Sequence, residues 1–109
     1  MEKISVKDAR NESSIGKTGK LQGWVRTRRD SKAGFSFIEI NDGSSQGNIQ
    51  IIAPDGLENY ESDVKRLSAG CSITAEGEIK ESGGRGQKTE MLASSVHVYG
   101  WADPEEYPL

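Results

Sequence analysis

At 109 residues the chain is one domain with room for a single modest core. An apolar share of 33% calls for an economical core, a net charge of −3 argues against a generic nucleic-acid sponge, and no apolar run approaches the ~20 residues needed to cross a bilayer. A single cysteine, Cys71, and a single histidine, His97, leave no intrachain disulfide and no Cys/His zinc cluster. The N-terminus, MEKISVKDARNESS, has no apolar signal core, so a cytoplasmic protein away from membranes is the expectation.

Ile4, Val6 and Ala9 suggest a short helical or turn segment, able to plug one end of a barrel or to fray. Lys20 to Arg29 reads as a first strand. Leu21, Gly23 and Val25 share one face, Gln22, Trp24 and Arg26 the other, and Gly23 suggests a bend. Asp30 to Gly34 is a turn. Phe35 to Ile40 is a second strand, with Ser36, Ile38 and Ile40 as the core face and Phe35, Phe37 and Glu39 opposite. After turn chemistry at Asn41-Asp42-Gly43 comes a third strand, Asn48 to Ala53, with Gln50 on the side of Phe37. Leu57, Tyr60, Val64 and Leu67 recur at helical spacing and Gly70 is a stop signal, which predicts a helix. Ser72 to Lys80 is a fourth strand and Glu81 to Lys88 a mobile loop. Thr89 to Tyr99 is a fifth strand whose alternation slips at Ser94-Ser95, the mark of a bulge. Five strands with one helix between the third and fourth predict an all-β fold, a five-stranded OB-fold Greek-key barrel. The expected boundaries are 1–100 for the barrel and 101–109 for the start of a hinge.

The charge is uneven. Lys17, Lys20, Arg26, Arg28, Arg29 and Lys32 precede Phe35 with only Asp30 against them, whereas Asp103, Glu105 and Glu106 crowd the end. Cations, flat rings and an amide on neighbouring strands suit the holding and reading of an unpaired base. Phe35 and Phe37 make a stacking platform; the same rings also suit packing beneath a loop or at a subunit contact. Arg26, Arg28 and Arg29 suit phosphate or planar base contacts, although a strand cannot put all three on one face. Gln50 can donate and accept together, as a Watson–Crick edge requires, and Glu90 can accept from a guanine edge. The Gly83-Gly84-Arg85-Gly86 run lacks the spacing of a dinucleotide fingerprint, and GxSxG, HExxH and the Walker phosphate loop are absent, so catalysis by this stretch alone is not expected.

The run GWVRTRRDSKAG, with Leu92-Ala93-Ser94-Ser95 and the ending Gly100-Trp101…Tyr107-Pro108, closely resembles the N-terminal anticodon-binding domain of bacterial-type asparaginyl-tRNA synthetases, class II enzymes of the aspartyl, asparaginyl and lysyl subgroup. The resemblance implies that Phe37 stacks on the central anticodon uridine, that Gln50 hydrogen-bonds it, and that Arg29 lies beside it with Arg26 and Arg28 as helpers. It implies that Glu90 serves the first anticodon base. The implied partner is the anticodon loop of an asparagine-type tRNA, GUU; asparagine and aspartate anticodons share their first two bases, so these residues do not separate the two. It implies homodimers for intact synthetases and no cofactor in this domain, ATP and magnesium belonging to a catalytic domain that follows the hinge. One departure stands out: Ser45-Gln46 occupies the place where a cysteine and an aromatic are expected. That leaves two other readings open, an engineered or ancestral OB-fold scaffold and a general single-strand binder.

Overall fold

The structure is a computed structural model that describes residues 2–44, 46–82 and 89–101. Five strands, β1 (Thr18–Ser31), β2 (Phe35–Asn41), β3 (Ile49–Pro54), β4 (Ser72–Glu81) and β5 (Thr89–Gly100), close into a barrel in the order β1-β2-β3-β5-β4. The β3–β5 pair is parallel and closes the ring; the other pairs are antiparallel. Closure removes the free edges that an open sheet would expose.

Strict alternation builds the core. On β2, Ser36, Ile38 and Ile40 are buried while Phe35, Phe37 and Glu39 are not; on β3, Ile49 and Ile51 are buried while Gln50 and Ile52 are half-buried. Leu21, Val25, Ile73, Ile79 and Met91 complete the filling. Each such side chain contributes roughly 1.5–3 kcal/mol on burial, so a chain poor in apolar residues still closes a core. The N-terminal segment does plug the barrel. Helix α1 (Val6–Ala9) is capped by Ser5, whose side chain accepts from the Asp8 amide, and buries Val6 and Ala9 completely. The Val6 amide donates to Asp42 Oδ2 at 3.0 Å and Thr89 Oγ1 donates to the Ala9 carbonyl at 2.6 Å. Burial pushes the Asp42 carboxyl up, but hydrogen bonds from Ser44 and the Val6 amide together outweigh it and hold the group below its usual range.

Three register shifts bend the barrel, one of them between Ser72 and Ile73 at the end of the β4–β5 pair. In β5, Glu76 pairs with Ser95 and Gly77 with Ala93, so Ser94 is the extra residue at the expected position. Gly77 is required there, since a Cβ on it would lie 2.1 Å from the Leu92 carbonyl oxygen. In β1, the irregularity falls between Val25 and Thr27, not at Gly23. Gly23 stays in regular register with Ile73, and its missing side chain instead admits the Asn41 carbonyl, which a Cβ would meet at 2.6 Å.

The helix expected between the third and fourth strands is corrected. Residues 55–63 form turns, followed by one 3-10 turn, Val64–Arg66. The apolar positions still face inward, with Tyr60, Val64 and Leu67 buried. The backbone bonds do not settle into one helical ladder: the Asn59 carbonyl accepts from both the Asp63 and Val64 amides and the Tyr60 carbonyl from Lys65, while Asn59 Nδ2 ties the segment to the Val96 carbonyl at 2.8 Å and to Asp63 Oδ2 at 3.0 Å. Residues 83–88, the expected mobile loop, and 102–109, most of the expected hinge, lie outside the described residues.

A polar latch ties this segment to the barrel. The hydroxyls of Tyr60 and Ser36 lie 2.9 Å apart, Ser36 donates to Asp30 Oδ1 at 2.7 Å, Arg28 pairs with the same oxygen at 2.6 Å, and Arg28 Nε donates to the Leu67 carbonyl at 2.7 Å. The hydrogen bond from Arg28, then that from Ser36, holds the Asp30 carboxyl below its ordinary value of 3.8. A lowered pKa means that this contribution is present above 3.8 and is lost as pH falls through the folded value. Asp30→Asn is therefore expected to melt lower than the parent at pH 6, with the gap in Tm closing below about pH 4; a gap independent of pH would rule the latch out. Gly77→Ala, which forces a backbone clash, is expected to cost at least ~2 kcal/mol in urea unfolding.

Candidate nucleic-acid interface

Register turns the alternation into ordered rows across the outer face. Arg29 pairs with Phe37, Phe37 with Ile52 and Ile52 with Leu92, giving one row from β1 to β5. One step along, Thr27 pairs with Glu39, Glu39 with Gln50, Gln50 with Glu90 and Glu90 with Lys80. On the far side Phe35 lies between Ser31 and Pro54. The first row is flat and apolar beyond its guanidinium, and the second carries hydrogen-bonding groups. Gln50 is the diagonal neighbour of Phe37, and such neighbours lie about 7–8 Å apart, close to the reach of a flat heterocycle laid on the ring.

The two phenylalanines contact edge to face, with centroids 5.0 Å apart and planes at 83°. The Arg29 guanidinium carbon stands 5.0 Å from the centroid of Phe37. Phe35, Phe37, Gln50 and Glu90 are all half-buried, held by the sheet yet reachable, and Arg29 is exposed. The turn joining β1 to β2 is pinned beside them: Gly34, at φ 91°, accepts from the Asp55 amide at 3.0 Å.

The arginine run divides three ways. Because one extra residue sits between Val25 and Thr27, the phase of β1 changes there. Val25 pairs with the buried Ile40, whereas Arg28 and Asp30 pair with the buried Ile38 and Ser36. Arg28 thus lies on the core side, at the barrel's end, and is committed to the Asp30 and Leu67 contacts of the latch. Arg29 reaches the aromatic row. Arg26 occupies the bulge, exposed, beside a separate cavity lined by Trp24, Asn41, Gln46 and Asn48. The structure therefore brings together Arg29, Phe35, Phe37, Gln50 and Glu90 and sets Arg26 and Arg28 apart from them.

Residue-by-residue reading misses the neighbours of Gln50. Glu39 and Glu90 flank it on both sides, and Ile52 and Leu92, the latter 38% exposed, extend the ring surface. Alternation puts Glu39 and Ile52 on this face; only strand order reveals that two carboxylates bracket one amide. Among the described residues no cluster of His, Cys, Asp and Glu could hold a metal ion, and no helix is long and apolar enough to cross a membrane.

The chain is similar to known proteins over its whole length. The asparagine–tRNA ligase of Rhodopirellula baltica is 50% identical over 109 residues, all of this chain and 22% of that protein. The asparagine–tRNA ligase of Desulfotalea psychrophila is 60% identical over 89 residues, 82% of this chain and 20% of that protein. The chain thus spans about a fifth of the length of these curated relatives. Among solved structures, the asparaginyl-tRNA synthetase from Pyrococcus horikoshii complexed with asparaginyl-adenylate superposes with a TM-score of 0.82 at 23% identity, over 99% of this chain and 24% of that one, which bears on the fold. Residues 20–99 match the OB-fold nucleic acid binding domain of the tRNA anti-codon type, and the chain belongs to that family.

Proposed function

We propose that this chain is the anticodon-recognition module of an asparagine–tRNA ligase. The observation that carries the reading is the pair of adjacent rows: a ring surface headed by Arg29 and Phe37 beside a hydrogen-bonding row centred on Gln50. High identity to asparagine–tRNA ligases over the full chain supports the choice of amino acid, the GUU anticodon and a cytoplasmic setting. Ligation itself is assigned to the four-fifths of such proteins that this chain does not span, with residues 101–109 as the start of the connection and pairing into a homodimer as a property of the whole enzyme.

In this reading the central uridine lies on Phe37 and presents its edge to Gln50, which donates to a carbonyl and accepts from the ring N–H. Glu90 accepts from the first base, a guanine, whose edge carries two N–H donors. Arg29 has a double part. Its guanidinium lies near the Phe37 ring where the base must come, so binding displaces it toward the phosphates. An exposed cation–π contact is worth ~0.5–1 kcal/mol, and base–aromatic stacking ~1–3 kcal/mol, so the exchange favours the base even before a phosphate contact is counted. Arg26 is placed to meet the backbone further along β1; Arg28 serves the latch.

Titration with an anticodon stem-loop bearing GUU, against one with the central uridine replaced, tests the reading at two salt concentrations. Preference for GUU is expected, with affinity falling as salt rises; equal affinity for both would defeat it. Phe37→Ala is expected to weaken GUU binding by about 1–3 kcal/mol. Gln50→Ala is expected to narrow the gap between the two stem-loops, while a loss shared equally by both would assign Gln50 to sheet packing instead.

A further inference from the structure

The cavity beside the β1 bulge gathers side chains that the rest of the protein leaves unused. Its volume is about 680 Å³, within the ~300–1,000 Å³ typical of small-ligand sites. Trp24 is 53% exposed on the outer face of β1. Among the described aromatic side chains every other ring has a partner: Phe35 and Phe37 each other, Tyr60 Lys65, Tyr99 His97 and Trp101 Arg66. Trp24 has none. The arginines repeat the pattern. Arg10 donates to Asn48, Arg28 to Leu67 and Asp30, Arg29 lies over Phe37 and Arg66 over Trp101, while Arg26 alone among the described arginines has no protein partner. Gln46, on the same cavity wall, also makes no hydrogen bond with the described residues. An open ring, an open guanidinium and an open amide therefore converge on one concavity whose lining contains no carboxylate.

This is the chemistry of the Phe37 surface over again, with no carboxylate among the described residues that line the cavity and Asp42 on the other side of Trp24. It lies on the same sheet face, because Trp24 pairs with Asn41, which continues the outward series Phe35, Phe37, Glu39 of β2. From Trp24 to Arg29 the strand spans about 15 Å at ~3.3 Å per residue, and OB-folds track single strands of about 4–16 nucleotides, so one strand reaches both places.

We propose that this cavity is a second nucleotide subsite, which takes a loop nucleotide flanking the anticodon by stacking its base on Trp24, pairing its phosphate with Arg26 and meeting its edge with Gln46. The proposal rests on the anticodon reading, and the experiment separates the two. In a Trp101→Phe background, Trp24 fluorescence reports the subsite directly. The probes are a hairpin with GUU in a seven-nucleotide loop, the same hairpin with abasic sites at every loop position outside GUU, and uridine monophosphate. The intact hairpin is expected to quench Trp24. Trp24→Ala is expected to weaken the intact hairpin about tenfold and leave the abasic one unchanged, with Trp24→Phe recovering most of the loss. Arg26→Gln is expected to weaken both hairpins and lower the salt slope by about one. Phe37→Ala should weaken both. Loss with Phe37→Ala but none with Trp24→Ala overturns the subsite and leaves the anticodon reading standing. Loss of the intact hairpin with Trp24→Ala but none with Phe37→Ala does the reverse. Absence of quenching at saturating hairpin, or of hairpin binding, overturns the proposal and leaves Trp24 as a surface for protein. Quenching by uridine monophosphate as tight as by the hairpin overturns it in favour of a free-nucleotide site.

Discussion

One extra residue in β1 decides what its cationic run can do. A strand presents side chains to alternate faces, so Arg26 and Arg28 would share a side and Arg29 would oppose them. The irregularity between Val25 and Thr27 breaks that rule. It lets Leu21 and Val25 fill the core and then changes phase, so that Arg29 comes out beside Phe37 while Arg28 turns toward the barrel end. Bulges recur where a strand has to re-aim side chains, and here the re-aiming separates a latch residue from a surface residue three positions after the core contact of Val25.

The latch and the surface are mechanically joined. Arg28 bonds Asp30 and the Leu67 carbonyl, Asp30 accepts from Ser36, and Ser36 is the buried neighbour of both Phe35 and Phe37 on β2. Polar groups on the inner side of β2 thereby fix the backbone whose outer side carries the rings. Asn59 has the same role on the other flank, reaching the Val96 carbonyl of β5. Rings on a sheet braced from behind lose little freedom when a base arrives, which lowers the ordering cost of binding.

Much of this was legible in the residues. Period-2 alternation located all five strands, the inner isoleucines and the outward phenylalanines, because half-buried strands write their two faces into the sequence. The slip at Ser94-Ser95 marked a true bulge for the same reason. The expected helix failed since 3.6-residue spacing of Leu57, Tyr60, Val64 and Leu67 reports only that these positions turn inward repeatedly, which a coil of turns also achieves. The phase of β1 beyond the bulge was hidden, as no residue type announces which position is skipped. That the three arginines could not share a face was legible, and the resemblance singled out Arg29, but only pairing with β2 assigned Arg28 to the inner side and Arg26 to the bulge. Of the carboxylates bracketing Gln50, Glu39 lies across the local β2–β3 hairpin, but Glu90 was hidden, being a neighbour through the parallel β3–β5 pair, a contact between strands remote in sequence.

Those carboxylates bear on how a strand can lie on the face. Glu39 and Glu90 on either side of Gln50 make the centre of the second row hostile to phosphates, while N–H donors on base edges are welcome there. Two of the exposed cations, Arg29 and Arg26, stand on β1 at the border of the rows, with Lys32 in the turn that follows; Lys80 lies beyond Glu90 at the far end of the second row. In the proposed reading a single strand therefore lies with its backbone along β1 and its bases across β2 and β3. The negative overall charge of the chain works in the same direction. It weakens attachment to phosphate wherever a base is not also engaged, since Debye screening confines the pull of these few cations to about 8–10 Å at ordinary salt. Selectivity for unpaired bases over duplex backbone is thus expected from where the few free cations stand, and it requires no excess of positive charge.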